Sequence, residues 1–321
     1  MNLRGILLGM GLFFAVLVVS ALYADVASLQ RALVSYPLWM VLPACGLVLC
    51  NYALRTVRFR IYLRALGIRV VWREALLIFV GGIFFSVSPG KMGEVFKGYL
   101  LHKRHGAHIA DSATVVVAER FTDVVALLCL AAVGVSQYGA HVGLFFSVFL
   151  LCLGFLAAVA HPRLIPGVVR RIEPRLAQHP RVQALVASVI RIHTSLRVLC
   201  QPRWLILGIA LASGAWGFEC VALRLLFEAA GGGGGMGGTI VIYAMATLFG
   251  AVSMLPGGVG TTEAVMIALA LQPAFGLRLS LPEVTLVTLL IRFCTLWFGV
   301  ALGGLSLVAM RHIAPRSEIS E

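Results

Sequence analysis

The stretch from Gly81 to Leu101, GGIFFSVSPGKMGEVFKGYLL, is apolar enough for a membrane interior, yet it cannot run as one helix. Pro89 removes a backbone donor, and Gly90 and Gly93 tolerate positive φ. Lys91, Glu94 and Lys97 cluster at or after the break. A second stretch, VSMLPGGVGTTEAVM at Val252–Met266, repeats the pattern as Pro256-Gly257-Gly258-Val259-Gly260, with Glu263 just beyond. Irregular backbone at membrane depth survives only where protein or a water-filled cavity satisfies it. Two broken apolar segments in corresponding places of two halves point to a transporter-type site. The competing reading is a pair of ordinary proline-kinked helices.

The chain as a whole fits a membrane protein. Of its 321 residues 60% are hydrophobic and 12% charged, with mean hydropathy +0.97, against about 25% charged in soluble domains. The fold class expected is therefore all-α and polytopic. The net charge of +13 does not imply nucleic acid, because the basic residues lie between hydrophobic runs, where they face anionic inner-leaflet headgroups. Seven cysteines show no CxxC spacing; six lie in apolar runs and Cys200 in a basic loop, so neither a disulfide framework nor a metal site is expected. No HExxH, GxSxG or nucleotide-binding loop is present, and no cofactor or catalytic activity is expected.

Six runs are long enough to cross a bilayer: Ile6–Ala24, Leu38–Leu54, Ser112–Val133, Val142–Ala160, Trp204–Phe227 and Val284–Ala309. The first is read as a retained helix rather than a cleaved signal peptide. If both broken stretches are re-entrant and the N-terminus is cytoplasmic, inner segments hold 19 Lys and Arg, including all six from Arg55 to Arg73, and outer loops only Arg31 and Arg278. That bias orients the chain with both termini inside; eight full crossings is the alternative. The topology divides the chain into two inverted repeats. Residues 1–141 form the first, with a hairpin at 75–101. Residues 142–309 form the second, with a hairpin at 239–271, and 310–321 form a cytoplasmic tail. Arg120-Phe121 and Arg292-Phe293 occupy equivalent crossings. Within 161–203, apolar residues at helical spacing from Val182 to Leu199 predict an amphipathic helix on the inner leaflet, with Arg181, Ser188, Arg191 and Ser195 on its other side. Gly231–Gly238 reads as a flexible outer linker.

Ten ionisable residues fall inside the crossings or hairpins: Lys91, Glu94, Lys97, Glu119, Arg120, Asp123, Glu219, Arg224, Glu263 and Arg292. Each costs about 2.5–3.5 kcal/mol at a helix centre, so paired or solvated interior positions are expected. Glu119 and Asp123, four apart, share a helix face and repel, bind a cation or pair with arginines of neighbouring helices. For Glu219 and Arg224 a structural ion-pair role leads; for the hairpin charges a functional one does. The helix restarting after Pro89-Gly90 aims free N–H groups at mid-membrane, and Lys91 adds a cation, which suits a phosphate or carboxylate. Glu94 and Glu263 hold a counter-cation, carry a proton or cap the restarted helices.

Three motifs carry a family resemblance: SxxPGKxGExxKxxLL at Ser86–Leu101, VAERFTDVVAL at Val117–Leu127 and LPGGVGTTE at Leu255–Glu263. Together they resemble the transmembrane domain of lysylphosphatidylglycerol synthases, which also occurs alone as a group of flippase-like membrane proteins, some linked to hopanoid pathways. The resemblance covers nearly the whole chain. It implies movement of a polar lipid between leaflets and carries over Pro89, Gly93, Glu94, Glu119, Arg120, Asp123, Pro256, Gly257, Gly258, Gly260, Glu263 and Arg292. Where relatives often have Arg after such turns, this chain has Lys91, a point charge in place of a planar fork. About a dozen polar residues follow the last crossing, so the synthase's aminoacyl-transfer domain, and with it lysyl transfer, is not expected.

The expectation is an inner-membrane protein of two inverted repeats that flips or binds an anionic phospholipid or an isoprenoid, hopanoid-type lipid. Lys91, Glu94, Glu119, Arg120, Asp123, Glu263 and Arg292 are the binding candidates. Expected partners are membrane lipid, with a homo-oligomer or a lipid-biosynthesis enzyme as further ones. The alternatives are a membrane subunit or enzyme acting on lipid-linked substrates, and a passive scaffold of a lipid-modifying complex.

Overall fold

A computed structural model describes residues 26–88, 92–136, 154 and 180–311. The expected crossings Ile6–Ala24 and Val142–Ala160, the tip residues Pro89, Gly90 and Lys91, and the 312–321 tail lie outside the described residues, apart from the single position 154. Among the described residues there is no strand. After a short amphipathic helix α1 (Val26–Ser35), the long helix α2 begins with a 3-10 turn at Leu38 and runs to Ala65. Pro43 is tolerated in the first turn of the α-helical part, which begins at Val41 after the 3-10 turn. Helix α7 (Pro202–Ala229) likewise starts on a proline. Helix α10 (Leu281–Arg292) is capped by Ser280, whose N–H donates to Glu283 at 2.7 Å, and passes through a π-turn at Phe293–Trp297 into α11 (Phe298–Arg311). The spans Leu38–Ala65, Pro202–Ala229 and Leu281–Met310 are long and apolar enough to cross a membrane. At 1.5 Å per residue each covers about 42 Å or more, against ~30 Å of hydrocarbon. Helix α5 (Ile109–Ser136) has the same length, but Glu119, Arg120 and Asp123 interrupt its apolar surface.

The broken stretches fold as hairpins. Helices α3 (Trp72–Ile83) and α4 (Met92–His105) have 12 and 14 residues, so they reach only about 18 and 21 Å. They pack antiparallel at glycine: a Cβ on Gly93 would overlap the Gly82 carbonyl oxygen, and one on Gly82 would lie 2.6 Å from Lys97 Cγ. Gly93 therefore serves close approach inside a helix, without using the positive φ it tolerates. In the second hairpin, α8 (Met236–Val252) turns through Pro256–Gly258 into α9 (Thr261–Ala270). Here the left-handed backbone is real, with φ of 61° at Gly257, 65° at Gly258 and 92° at Gly260. The hairpins meet at their tips: the Gly257 N–H donates to Ser86 O at 3.1 Å, and Val87, Val259 and Leu296 form one apolar cluster.

The contacts also fix which end each hairpin comes from. Arg104, at the base of the first, donates to Met310 O (2.6 Å), while Ser306 donates to Leu77 O (2.8 Å) and Gly299 lies against Ile83. The first hairpin thus runs inward from the end of the bundle where α11 finishes and α5 begins. Gly134, near the end of α5, lies against Gly237 and Val241 at the start of α8. The second hairpin comes from the opposite end.

Three readings of the sequence are corrected. Arg55 and Arg58, counted with a cytoplasmic loop, lie within α2, because apolar Phe59, Tyr62 and Leu63 continue the buried face past them. Gly231–Gly238 is not a loose linker: Gly232 N–H closes the end of α7 on Phe227 O, Gly234 lies against Phe275 O, and α8 starts at Met236. Helix α6 (Pro180–Leu199) forms where predicted but packs on α5, burying Leu196 and Leu199. Its expected outer face is partly inward: Arg191 pairs bidentately with Asp111 and Ser195 donates to the same carboxylate at 2.9 Å. Opposite hairpin ends make a labelling prediction. In a cysteine-free protein in sealed vesicles, Lys103→Cys should react from one side only and Gly235→Cys from the other only. Reaction of both from the same side would contradict the arrangement.

Candidate functional site

Among the described residues, two large clusters of buried apolar side chains lie along the bundle besides the small one at the hairpin tips. Val48 and Tyr52 of α2 and Ala126, Leu127 and Ala131 of α5 belong to one; Phe59, Tyr62 and Leu63 of α2 and Val115 and Ala118 of α5 belong to the other. Between them both helices turn polar at the same level, with Arg55 and Arg58 on α2 and Glu119, Arg120 and Asp123 on α5. Arg55 and Arg58 are three apart, which places them on one face.

Asp123 is the hub. Its carboxylate meets Arg58 Nη1 at 2.8 Å, Arg55 Nη2 at 3.2 Å and Arg120 Nη2 at 3.4 Å, and Trp216 Nε1 donates to it at 3.2 Å. Glu119 takes Lys97 Nζ at 2.8 Å. The expected choice for the Glu119–Asp123 face is thus made in favour of pairing with basic residues of neighbouring helices. Lys97 also lies 5.0 Å from the Phe79 ring, and Arg55 5.1 Å from that of Trp216. Arg58 is fully buried, whereas the Arg120 side chain is 42% exposed and opens the cluster to the surface beside Glu94. Nε and Nη2 of Arg58, Nε of Arg55 and Oε1 of Glu119 are buried without hydrogen-bond partners among the described residues. Unmet buried donors of this kind cost about 1–3 kcal/mol each, more when charged, so the cluster holds unused capacity to bind oxygen atoms.

Behind each tip stands the same ion pair. Glu94, at the start of α4, forms an ion pair with Arg120, its Oε1 lying 3.0 Å from Nε. Glu263, at the start of α9, accepts from Arg292 Nε at 2.6 Å. In both halves a glutamate in the first turn of the restarted helix binds the arginine of the following crossing. Glu263 also caps its own helix by accepting the Gly260 N–H (2.7 Å), and Arg292 Nη2 donates to Gly257 O (2.6 Å), clamping the turn. The π-turn lies beside these contacts, and its Thr295 carbonyl accepts from Tyr52 OH at 2.8 Å; π-turns often mark functional segments.

Of the sequence candidates, Glu94, Glu119, Arg120 and Asp123 converge in one network, while Glu263 and Arg292 form the second pair with Gly257 and Gly260. Pro256 and Gly258 build its turn, and Gly93 sets the spacing of the first hairpin. Lys91, Pro89 and Gly90 have no described place. Arg224 stands apart at the end of α7, bound to Glu228 and Gly233 O. Glu219 is held by the hydroxyl of Tyr243. The residues missed were Arg55, Arg58, Trp216 and Tyr243. The signal for the arginines was present, since LRTVRF keeps them on one face of a continuing apolar run.

Nine charges on these helices (Arg55, Arg58, Glu94, Lys97, Glu119, Arg120, Asp123, Glu263, Arg292) would cost roughly 22–32 kcal/mol unpaired on insertion scales, more than the ~5–15 kcal/mol by which proteins are stable. Pairing is therefore compulsory, and its loss measurable. Asp123→Asn should destabilise the protein by about 3–5 kcal/mol, because three guanidinium groups lose their shared carboxylate. Glu228→Gln, at an exposed pair, should change stability by less than about 1 kcal/mol. Thermal unfolding in detergent compares them; equal shifts would deny Asp123 its central place.

Residues 6–303 match the family described as lysylphosphatidylglycerol synthase TM region. Two relatives from Methanothermobacter thermautotrophicus (strain Delta H), each described as a UPF0104 membrane protein, are both 27% identical to the chain. One match spans 250 residues, 71% of this chain and 73% of the relative; the other spans 235 residues, 68% and 69%. Motif, match and the paired hairpins agree, and this membrane protein belongs to the lysylphosphatidylglycerol synthase TM region family.

Proposed function

We propose that the protein is a flippase-like lipid transporter of the plasma membrane, carrying a polar headgroup, anionic or isoprenoid-linked, between leaflets. The observation that carries this reading is the meeting of two hairpins from opposite ends, each backed by a Glu–Arg pair. In a bilayer such hairpins are re-entrant, since α3, α4 and α9 are too short to cross about 30 Å. The two halves then form inverted repeats, 1–141 and 142–309, with both termini cytoplasmic. Parting of one tip at a time opens the polar layer to one side, which is alternating access. Arg120, Arg55 and Arg58 offer donors to headgroup oxygens, and the acyl chains stay in the bilayer beside exposed Val95 and Val117. The reading assigns the site binding and movement, with no bond made or broken.

Arg120 and Arg292 are the informative side chains. With folded protein matched in proteoliposomes, Arg120→Gln and Arg292→Gln should slow leaflet exchange of fluorescent phosphatidylglycerol about tenfold or more, the equivalent of one charge-assisted hydrogen bond of at least ~1.4 kcal/mol. Lys103→Gln, on the exposed base of the first hairpin, should not. Equal rates for all three would remove the site from transport.

A further inference from the structure

Glu219 breaks the pattern of the interior acids. Glu94, Glu119, Asp123 and Glu263 each lie against an arginine or lysine at 3.4 Å or less. Glu219 is only 3% exposed, and among the described residues no basic side chain comes within 4.0 Å of it. Among the described residues its one hydrogen-bond partner is the Tyr243 hydroxyl, which donates to Oε2. A carboxylate in an apolar bundle without a cation pays most of its desolvation, and taking up a proton removes that cost.

The surroundings couple it to the charged layer. Tyr243 of α8 packs on Trp216 of α7, with ring centroids 6.4 Å apart, and Trp216 donates to Asp123. Arg55 and Tyr52 of α2, Asp123 of α5, Cys220 of α7 and Arg292 of α10 face Glu219 within electrostatic reach. Among the described residues the layer holds five acids and five bases. With Glu219 ionised its charges cancel; with Glu219 protonated one positive charge is left over beside Arg55 and Arg292.

We propose that Glu219 is a proton-binding site whose occupancy sets the affinity of the layer for an anionic headgroup. A proton from water neutralises the carboxylate and the anion takes the surplus positive charge. Both are released on the far side, where the carboxylate returns its proton to water. This rests on the transport reading above and adds the coupling ion.

Two measurements test it. The first is exchange of fluorescent phosphatidylglycerol in phosphatidylethanolamine–phosphatidylglycerol vesicles, with and without an imposed pH gradient. Wild-type exchange toward the alkaline side should accelerate; Glu219→Gln should lose the response, and Glu219→Asp should keep part of it. Exchange indifferent to the gradient in the wild type would overturn the proposal and leave the transport reading standing. The second needs no transport and covers its failure: pH-difference infrared spectroscopy of the purified protein should show a protonated-carboxyl band that is absent in Glu219→Gln and shifted in Glu219→Asp. A band unchanged in Glu219→Gln would overturn the proton site, whether or not lipid moves.

Discussion

A charge inside an apolar bundle must find its opposite, and that requirement organises this protein. Asp123 gathers Arg55, Arg58 and Arg120 from two helices, and Glu119 draws Lys97 in from the first hairpin. These bonds tie α2, α4 and α5 together at one level of the bundle, where neither apolar cluster reaches. Removing an isolated buried ion pair in favour of apolar groups is often harmless. Here the pairs share a hub and keep unmet donors, and under the proposed transport reading those donors meet the headgroup.

The hairpins solve a different problem. A chain that turns back within a bundle exposes backbone groups that must be satisfied by protein. At the second tip this is done by Glu263, which accepts the Gly260 N–H, and by Arg292, which donates to Gly257 O. At the contact between tips it is done by Gly257 donating to Ser86 O. The same side chains therefore shape the turn and contribute charge to the interior. Small residues make the geometry possible: Gly82 against Gly93 in one hairpin, Gly250 against Gly258 and Thr262 in the other.

Much of this could be read from the residues. The Pro-Gly breaks gave both hairpins, and hydrophobic runs gave the long helices to within a few residues, apart from α2. That helix was cut short at Leu54 because arginines look like a loop when counted by charge, whereas Phe59, Tyr62 and Leu63 show by spacing that the buried face goes on. The pairing of Glu94 with Arg120, and of Glu263 with Arg292, spans 26 and 29 positions of sequence and follows only once the hairpins are folded. Tyr243 was invisible for the same reason: an aromatic residue in an apolar run announces packing, and only the crossing of α7 and α8 puts its hydroxyl on Glu219. The glycine run after α7 misled because composition says nothing of the carbonyl groups that pack against it.

Transport as proposed requires the contact between the hairpin tips to break for a headgroup to pass. Val87→Cys and Val259→Cys in a cysteine-free protein bring that contact within reach of a short thiol cross-linker in native membranes. Cross-linking should be efficient and should stop leaflet exchange in the reconstituted protein, with exchange returning on reduction. Failure to cross-link, or a cross-linked protein that moves lipid at the full rate, would contradict it.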